Sequence, residues 1–107
     1  NAQFESVTGL KAGASIEMAG VPVGEVDAIS LNLERQVAHV RLKIQGAVTI
    51  TDDTIASVKT RGLIGDKYIK LSPGGSDLVL KSGETIIETE SAMDLEELIS
   101  KYVFGGV

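Results

Sequence analysis

The sequence predicts an all-β domain, a sandwich or small barrel of about seven short strands, followed by one C-terminal α-helix. Three observations carry the prediction. Short apolar runs alternating with period two recur from residue 2 to residue 88. Turn-forming clusters, holding many of the 12 glycines, separate them at close intervals. At Ser91 the period changes, and Leu95, Leu98, Ile99 and Tyr102 then recur at helical spacing. Residues 1–90 therefore read as the β domain and residues 91–107 as the helix.

Taken in order, residues 2–7 form a short strand with Ala2 and Phe4 on one face, stopped at Thr8-Gly9. Residues 14–18 form a second, with Ala14, Ile16 and Met18 on one side, ending at Ala19-Gly20. Pro22 has no N–H to donate, so its neighbourhood suits a strand start or an edge. From Glu25 the apolar residues fall on both faces, Val26 and Ala28 opposite Ile29 and Leu31, which predicts a strand with a bulge or bend. Glu34-Arg35 is a polar turn. Residues 36–45 are the clearest strand, with Ala38, Val40, Leu42 and Ile44 inward and His39, Arg41, Lys43 and Gln45 outward. A polar stretch from 49 to 54 turns the chain. Residues 55–61 and 67–71 then flank a loop, and residues 78–80 and 85–88 close the β part. The helix opens on Ser91-Ala92-Met93-Asp94, a capping residue followed three positions later by an acid. Asp94, Glu96 and Glu97 sit in its first turns and Lys101 near its end, as the helix dipole favours. About thirteen residues give a rod of about 20 Å, ending at Gly105-Gly106.

At 107 residues the chain is one domain. A hydrophobic content of 43% argues against disorder, and only 4% aromatic residues imply a core of Val, Ile, Leu and Ala. The net charge of −5 argues against nucleic acid, which rewards clustered Lys and Arg. Between residues 84 and 97 stand Glu84, Glu88, Glu90, Asp94, Glu96 and Glu97 with no base, so the rest of the chain is near neutral. Absence of cysteine excludes disulfides and thiolate metal sites without deciding the compartment. No apolar run approaches the ~20 residues that span a bilayer. The chain opens at Asn1, directly on a strand-like pattern, as expected of a domain cut from a longer protein.

Catalysis finds little support. The single histidine, His39, lies on the outward face of its strand and reads as a solvated surface residue. No nucleophile motif surrounds any serine, and one histidine without cysteine does not build a zinc site. The acidic run reads as a solvated strand face and helix N-terminus. Gly62-Leu63-Ile64-Gly65-Asp66-Lys67 lacks the spacing and the Lys-Ser/Thr ending of a phosphate loop. No catalytic residue, metal or cofactor is expected.

Two features remain. In Thr60-Arg61-Gly62-Leu63-Ile64-Gly65-Asp66-Lys67-Tyr68 a pair of large aliphatic residues sits between two glycines that shape a turn. A surface turn normally carries polar residues, so either Leu63 and Ile64 fold back over the barrel or they meet something other than water. The stripe of Leu95, Leu98, Ile99, Tyr102 and Val103 likewise needs a partner, its own barrel or copies of itself. A barrel of about seven strands is filled by its own side chains. Any site then lies on a loop, at an end, or between subunits.

Val7-Thr8-Gly9-Leu10-Lys11-Ala12-Gly13 and Ala19-Gly20-Val21-Pro22-Val23-Gly24-Glu25-Val26 resemble the opening of an MCE (mammalian cell entry) domain. The segment from Thr60 to Ile69 resembles that family's central loop and following strand. Ser91-Ala92-Met93, Leu95-Glu96-Glu97-Leu98-Ile99 and Phe104-Gly105 are similar to the helix after the domain in its phospholipid-transport members. The resemblance implies a seven-stranded MCE-type β-barrel in a homohexameric ring in the periplasm. It also implies an inner-membrane anchor through an N-terminal helix that precedes this chain, and partnership with an ABC permease and ATPase. Carried onto these positions, it places Leu63 and Ile64 at the lipid-lined pore, with Gly62 and Gly65 shaping the loop. Leu95, Leu98, Ile99 and Tyr102 would gather near the ring axis. The implied function is non-enzymatic passage of phospholipids between inner and outer membranes. The alternative is a surface adhesion or host-interaction module, as the family's name suggests. The match departs at residues 73–77, where some relatives carry a longer insert with a bearing on subunit contacts.

Overall fold

A computed structural model describes residues 1–61 and 66–91. Within them lie β1 (Ala2–Phe4), β2 (Ser15–Met18), β3 (Val21–Asn32), β4 (Val37–Ile44), β5 (Ile55–Thr60), β6 (Lys67–Ser72) and β7 (Glu88–Glu90). They form one sheet in the order β1-β4-β3-β2-β6-β5-β7. The β2–β6 and β5–β7 pairs are parallel and the others antiparallel. The two ends of the sheet approach each other. Ala2 forms a parallel bridge with Ile86, and the Thr89 hydroxyl donates to the Gln3 carbonyl at 2.7 Å. The sheet is a nearly closed barrel, a solution that leaves little unpaired strand edge. The all-β expectation is borne out, and of the sandwich and the barrel it is the seven-stranded barrel that forms. The predicted helix face of Leu95, Leu98, Ile99 and Tyr102 lies outside the described residues.

The interior is built as the alternation dictates. Ala2 and Phe4 of β1, Ile16 of β2, Val26 of β3, Val40 of β4, Ala56 and Val58 of β5, and Ile69 and Leu71 of β6 are buried together. Ala14, Met18, Leu42 and Ile44 pack against them from the rim. Each large aliphatic side chain so buried contributes about 1.5–3 kcal/mol. His39 is half-buried on β4, opposite Gln3 and Ser30.

The irregularity expected in β3 is a bulge between Val26 and Ala28. Val26 faces Leu42, Asp27 is the extra residue, and Ala28 then pairs with outward Arg41. That slip puts Ile29 opposite buried Val40, so the apolar phase changes face without leaving the core. It resolves the two-faced pattern of the sequence. Gly24 lies just before the bulge, where a Cβ would come within 2.2 Å of the Lys43 carbonyl oxygen. Only glycine admits so close a backbone approach. The β2–β3 turn has positive φ at both central residues, 55° at Ala19 and 80° at Gly20, the geometry that matches strand twist in a two-residue hairpin.

The end of the β domain differs from expectation. Residues 78–80 are not a strand, and of residues 85–88 only Glu88 enters one. Val79 makes one antiparallel bridge with Thr51 and Ile86 one parallel bridge with Ala2, and β7 follows at Glu88–Glu90. Leu78, Val79 and Ile87 are exposed, so alternation here reflects a segment that dips into the core only at Leu80 and Ile86. A short anchor holds it. Asp53 accepts hydrogen bonds from the Thr51 hydroxyl at 2.7 Å and from the Ser76 N–H at 2.9 Å. These, the Thr51 bond foremost, hold the Asp53 carboxyl below its ordinary value of 3.8. A carboxylate with a depressed folded pKa stabilises above its unfolded pKa and loses that contribution as pH falls through the folded value. Asp53→Asn is therefore expected to melt below the parent at pH 7, with the difference closing as melts are repeated below about pH 3.8.

Candidate functional site

The β5–β6 hairpin keeps a strict antiparallel register from Ile55↔Ser72 to Thr60↔Lys67, so residues 61–66 are its whole connection. The connection is closed at its base, where the Arg61 N–H donates to the Asp66 carbonyl at 3.1 Å. Lys67 Nζ donates to the Thr60 hydroxyl beside it. Gly62, Leu63, Ile64 and Gly65, the loop residues singled out by the sequence, lie outside the described residues. The structure does describe what holds them.

Arg61 is the centre of that support. Its guanidinium forms an ion pair with Glu17 of β2 and stacks on the Tyr68 ring, 4.5 Å from the centroid. Topology explains the meeting. Parallel pairing of β2 with β6 sets Glu17 opposite Lys70, on the face away from buried Ile16 and Ile69. Tyr68 shares that outer face two residues before Lys70. Arg61 thus lies back along the outside of the barrel, across Tyr68, to reach Glu17. Glu17 is only 7% exposed although it faces outward. A carboxylate so desolvated needs a partner, and the arginine fork supplies one with several donors.

Sequence reasoning missed this clamp. Arg61 and Tyr68 flank a recognised motif, but Glu17 stands far away in sequence, and no local spacing rule links it to them. Glu17 falls on the outward side of the alternation of Ile16 and Met18, where an acid is ordinary, so the sequence carried no signal for it.

Beside the clamp lies a cleft of about 310 Å³ between the β1–β2 connection and the loop base. Lys11, Arg61, Asp66, Lys67 and Tyr68 are among its walls. A larger groove, about 430 Å³, runs between the end of β4 and residues 79–86 and includes no residue of the loop base.

Comparison with known proteins decides the family. A family model described as MlaD protein matches residues 1–74. The chain belongs to the MlaD family. The intermembrane phospholipid transport system binding protein MlaD of Escherichia coli K12 is 37% identical over 110 aligned residues, covering 97% of this chain and 60% of that relative. The protein of the same description from Haemophilus influenzae is 38% identical over 108, covering 97% and 65%. The chain therefore spans about three-fifths of the length of these relatives. Among solved structures, a chain of the Acinetobacter MlaFEDB complex in an ATP-bound conformation superposes with a TM-score of 0.86 at 32% identity. That match covers 94% of this chain and 78% of the other. Family membership bears out the MCE resemblance, and the loop clamp belongs to the matched region.

Proposed function

We propose that this domain is a non-enzymatic module of a phospholipid transport system, acting as a ring through whose centre lipid tails pass. What carries the reading is the alignment of nearly the whole chain with relatives named for intermembrane phospholipid transport. The likeness to a chain of an ATP-bound MlaFEDB complex supports a permease and an ATPase as partners, since this chain has no nucleotide-binding motif of its own. The full-length protein sits in the periplasm, held to the inner membrane by an N-terminal helix, and six copies surround the axis.

In that ring, Leu63 and Ile64 of each copy form an apolar collar. A lipid tail entering it leaves water at about 0.8 kcal/mol per methylene, so a dozen methylenes supply up to about 10 kcal/mol before entropy costs. Such contact is non-directional, which lets a tail slide without being locked. Reconstitution tests the function. Full-length protein, permease and ATPase in one liposome population should move labelled phospholipid to acceptors when ATP is present. Transfer at the same rate without this protein would contradict the proposal.

A further inference from the structure

The cleft beside the loop has a chemistry the apolar collar lacks. It is walled by Lys11 from the β1–β2 connection and by Arg61 and Lys67 from the two ends of the loop base, with Asp66 in the same wall and Glu17 paired to Arg61 as the opposing charges. The whole chain carries −5, so a concave site with cations in excess departs from the surrounding field. Lys11 is exposed and has no ion-pair partner among the described residues. Arg61 engages Glu17 through Nη2, one of the two nitrogens at the end of a five-donor fork. Gly9 shapes the floor. It has φ +84°, and a Cβ there would stand 3.1 Å from Lys67 Cγ, so the glycine lets the Lys67 side chain lie across the turn. Tyr68 adds a ring, held under the guanidinium, to the same wall.

We propose that this cleft holds the anionic phosphate of a phosphoester, the headgroup of a phospholipid. The proposal rests on the transport reading above and extends it. A phospholipid is amphipathic, and an apolar collar alone leaves its phosphate without a counter-charge. Charge-assisted hydrogen bonds from Lys11 and Arg61 supply it at the base of the β5–β6 connection. The cleft volume, about 310 Å³, accommodates a phosphodiester with its glycerol.

The test uses the full-length protein in a neutral maltoside detergent, with binding read by calorimetry. The probes are glycerophosphoglycerol, dihexanoyl phosphatidylglycerol, dihexanoylglycerol and inorganic phosphate. Both phosphodiesters should bind, more weakly as salt rises. Lys11→Ala should weaken them about tenfold, the loss expected of one hydrogen bond to a charged group, and Lys11→Glu further. Dihexanoylglycerol should be indifferent to both substitutions. Unchanged phosphodiester affinity in Lys11→Glu would overturn the proposal. So would inorganic phosphate binding as tightly as glycerophosphoglycerol, which assigns the cleft to the free ion. Loss of ring assembly in Lys11→Glu, seen by sedimentation, would overturn it too, because the cleft is then a subunit contact. The two readings fail separately. Replacing Leu63 and Ile64 with Asn tests the collar through the acyl probes and leaves glycerophosphoglycerol affinity as the measure of the cleft.

Discussion

Replacing Leu63 and Ile64 together with Asn is expected to reduce ATP-driven phospholipid transfer to the rate of liposomes lacking the protein, while the barrel folds and the ring assembles. Each substitution exchanges an apolar side chain for an amide that binds water. A tail crossing the collar then meets groups it must dehydrate without compensating hydrogen bonds, at about 1–3 kcal/mol each. With the six copies proposed around the axis, a small part of that sum exceeds the several kcal/mol that separate a fast passage from a blocked one. The described core rests on residues such as Ile16, Val40, Ile69 and Leu71, none of which the variant alters. A melt of the variant within a few degrees of the parent separates loss of passage from loss of fold. Normal transfer by the folded, assembled double variant would remove the collar from the mechanism.

The second large effect belongs to the clamp. Arg61→Ala strips the counter-charge from a Glu17 that is 7% exposed, and removes the stack on Tyr68. Breaking a fully buried pair costs about 3–5 kcal/mol. Here the Arg61 side chain is 52% exposed, so water screens the pair, and about 2 kcal/mol is the better expectation. In a domain of this size that lowers the melting temperature by about 10 °C. Glu17→Gln should cost less, since the amide still accepts a hydrogen bond from the guanidinium. Tyr68→Leu, which keeps the ion pair and loses the cation–π contact, should cost about 0.5–1 kcal/mol. The decisive variant is Glu17→Leu with Arg61→Leu. Removing both charges leaves no orphan, so the double variant should be more stable than Arg61→Ala alone. Additive losses would mean that the two side chains act independently.

The barrel was legible because alternation is strong where one face is buried. Val40, Leu42 and Ile44 against Arg41 and Lys43 fix which face of β4 turns inward and exclude a one-residue slip. The two-faced reading of β3 pointed to a bulge before its position was known, and Asp27 supplied it. The closing segment was misread for the same reason the rest was read well. Leu78, Val79, Ile86 and Ile87 look like strand residues, but only Ile86 is buried among them, and these four residues make just two isolated bridges, at Val79 and Ile86. Local pattern reports which residues prefer an apolar neighbour, not whether a partner strand is in reach. The site divides likewise. Two glycines around Leu63-Ile64 marked the loop, whereas Glu17 and Lys11 became relevant only when β2 and the connection before it were laid beside the hairpin.

The central claim is that lipid touches Leu63 and Ile64 in the working assembly. The most direct measurement places a photoreactive amino acid at position 63 of the full-length protein, in a complex transporting lipid with ATP, and identifies the adducts by mass spectrometry. Phospholipid adducts at position 63, absent when the same amino acid stands at the exposed hairpin residue Leu33, are the predicted result. A transporting complex that yields no lipid adduct at position 63, or the same yield at both positions, would contradict the account.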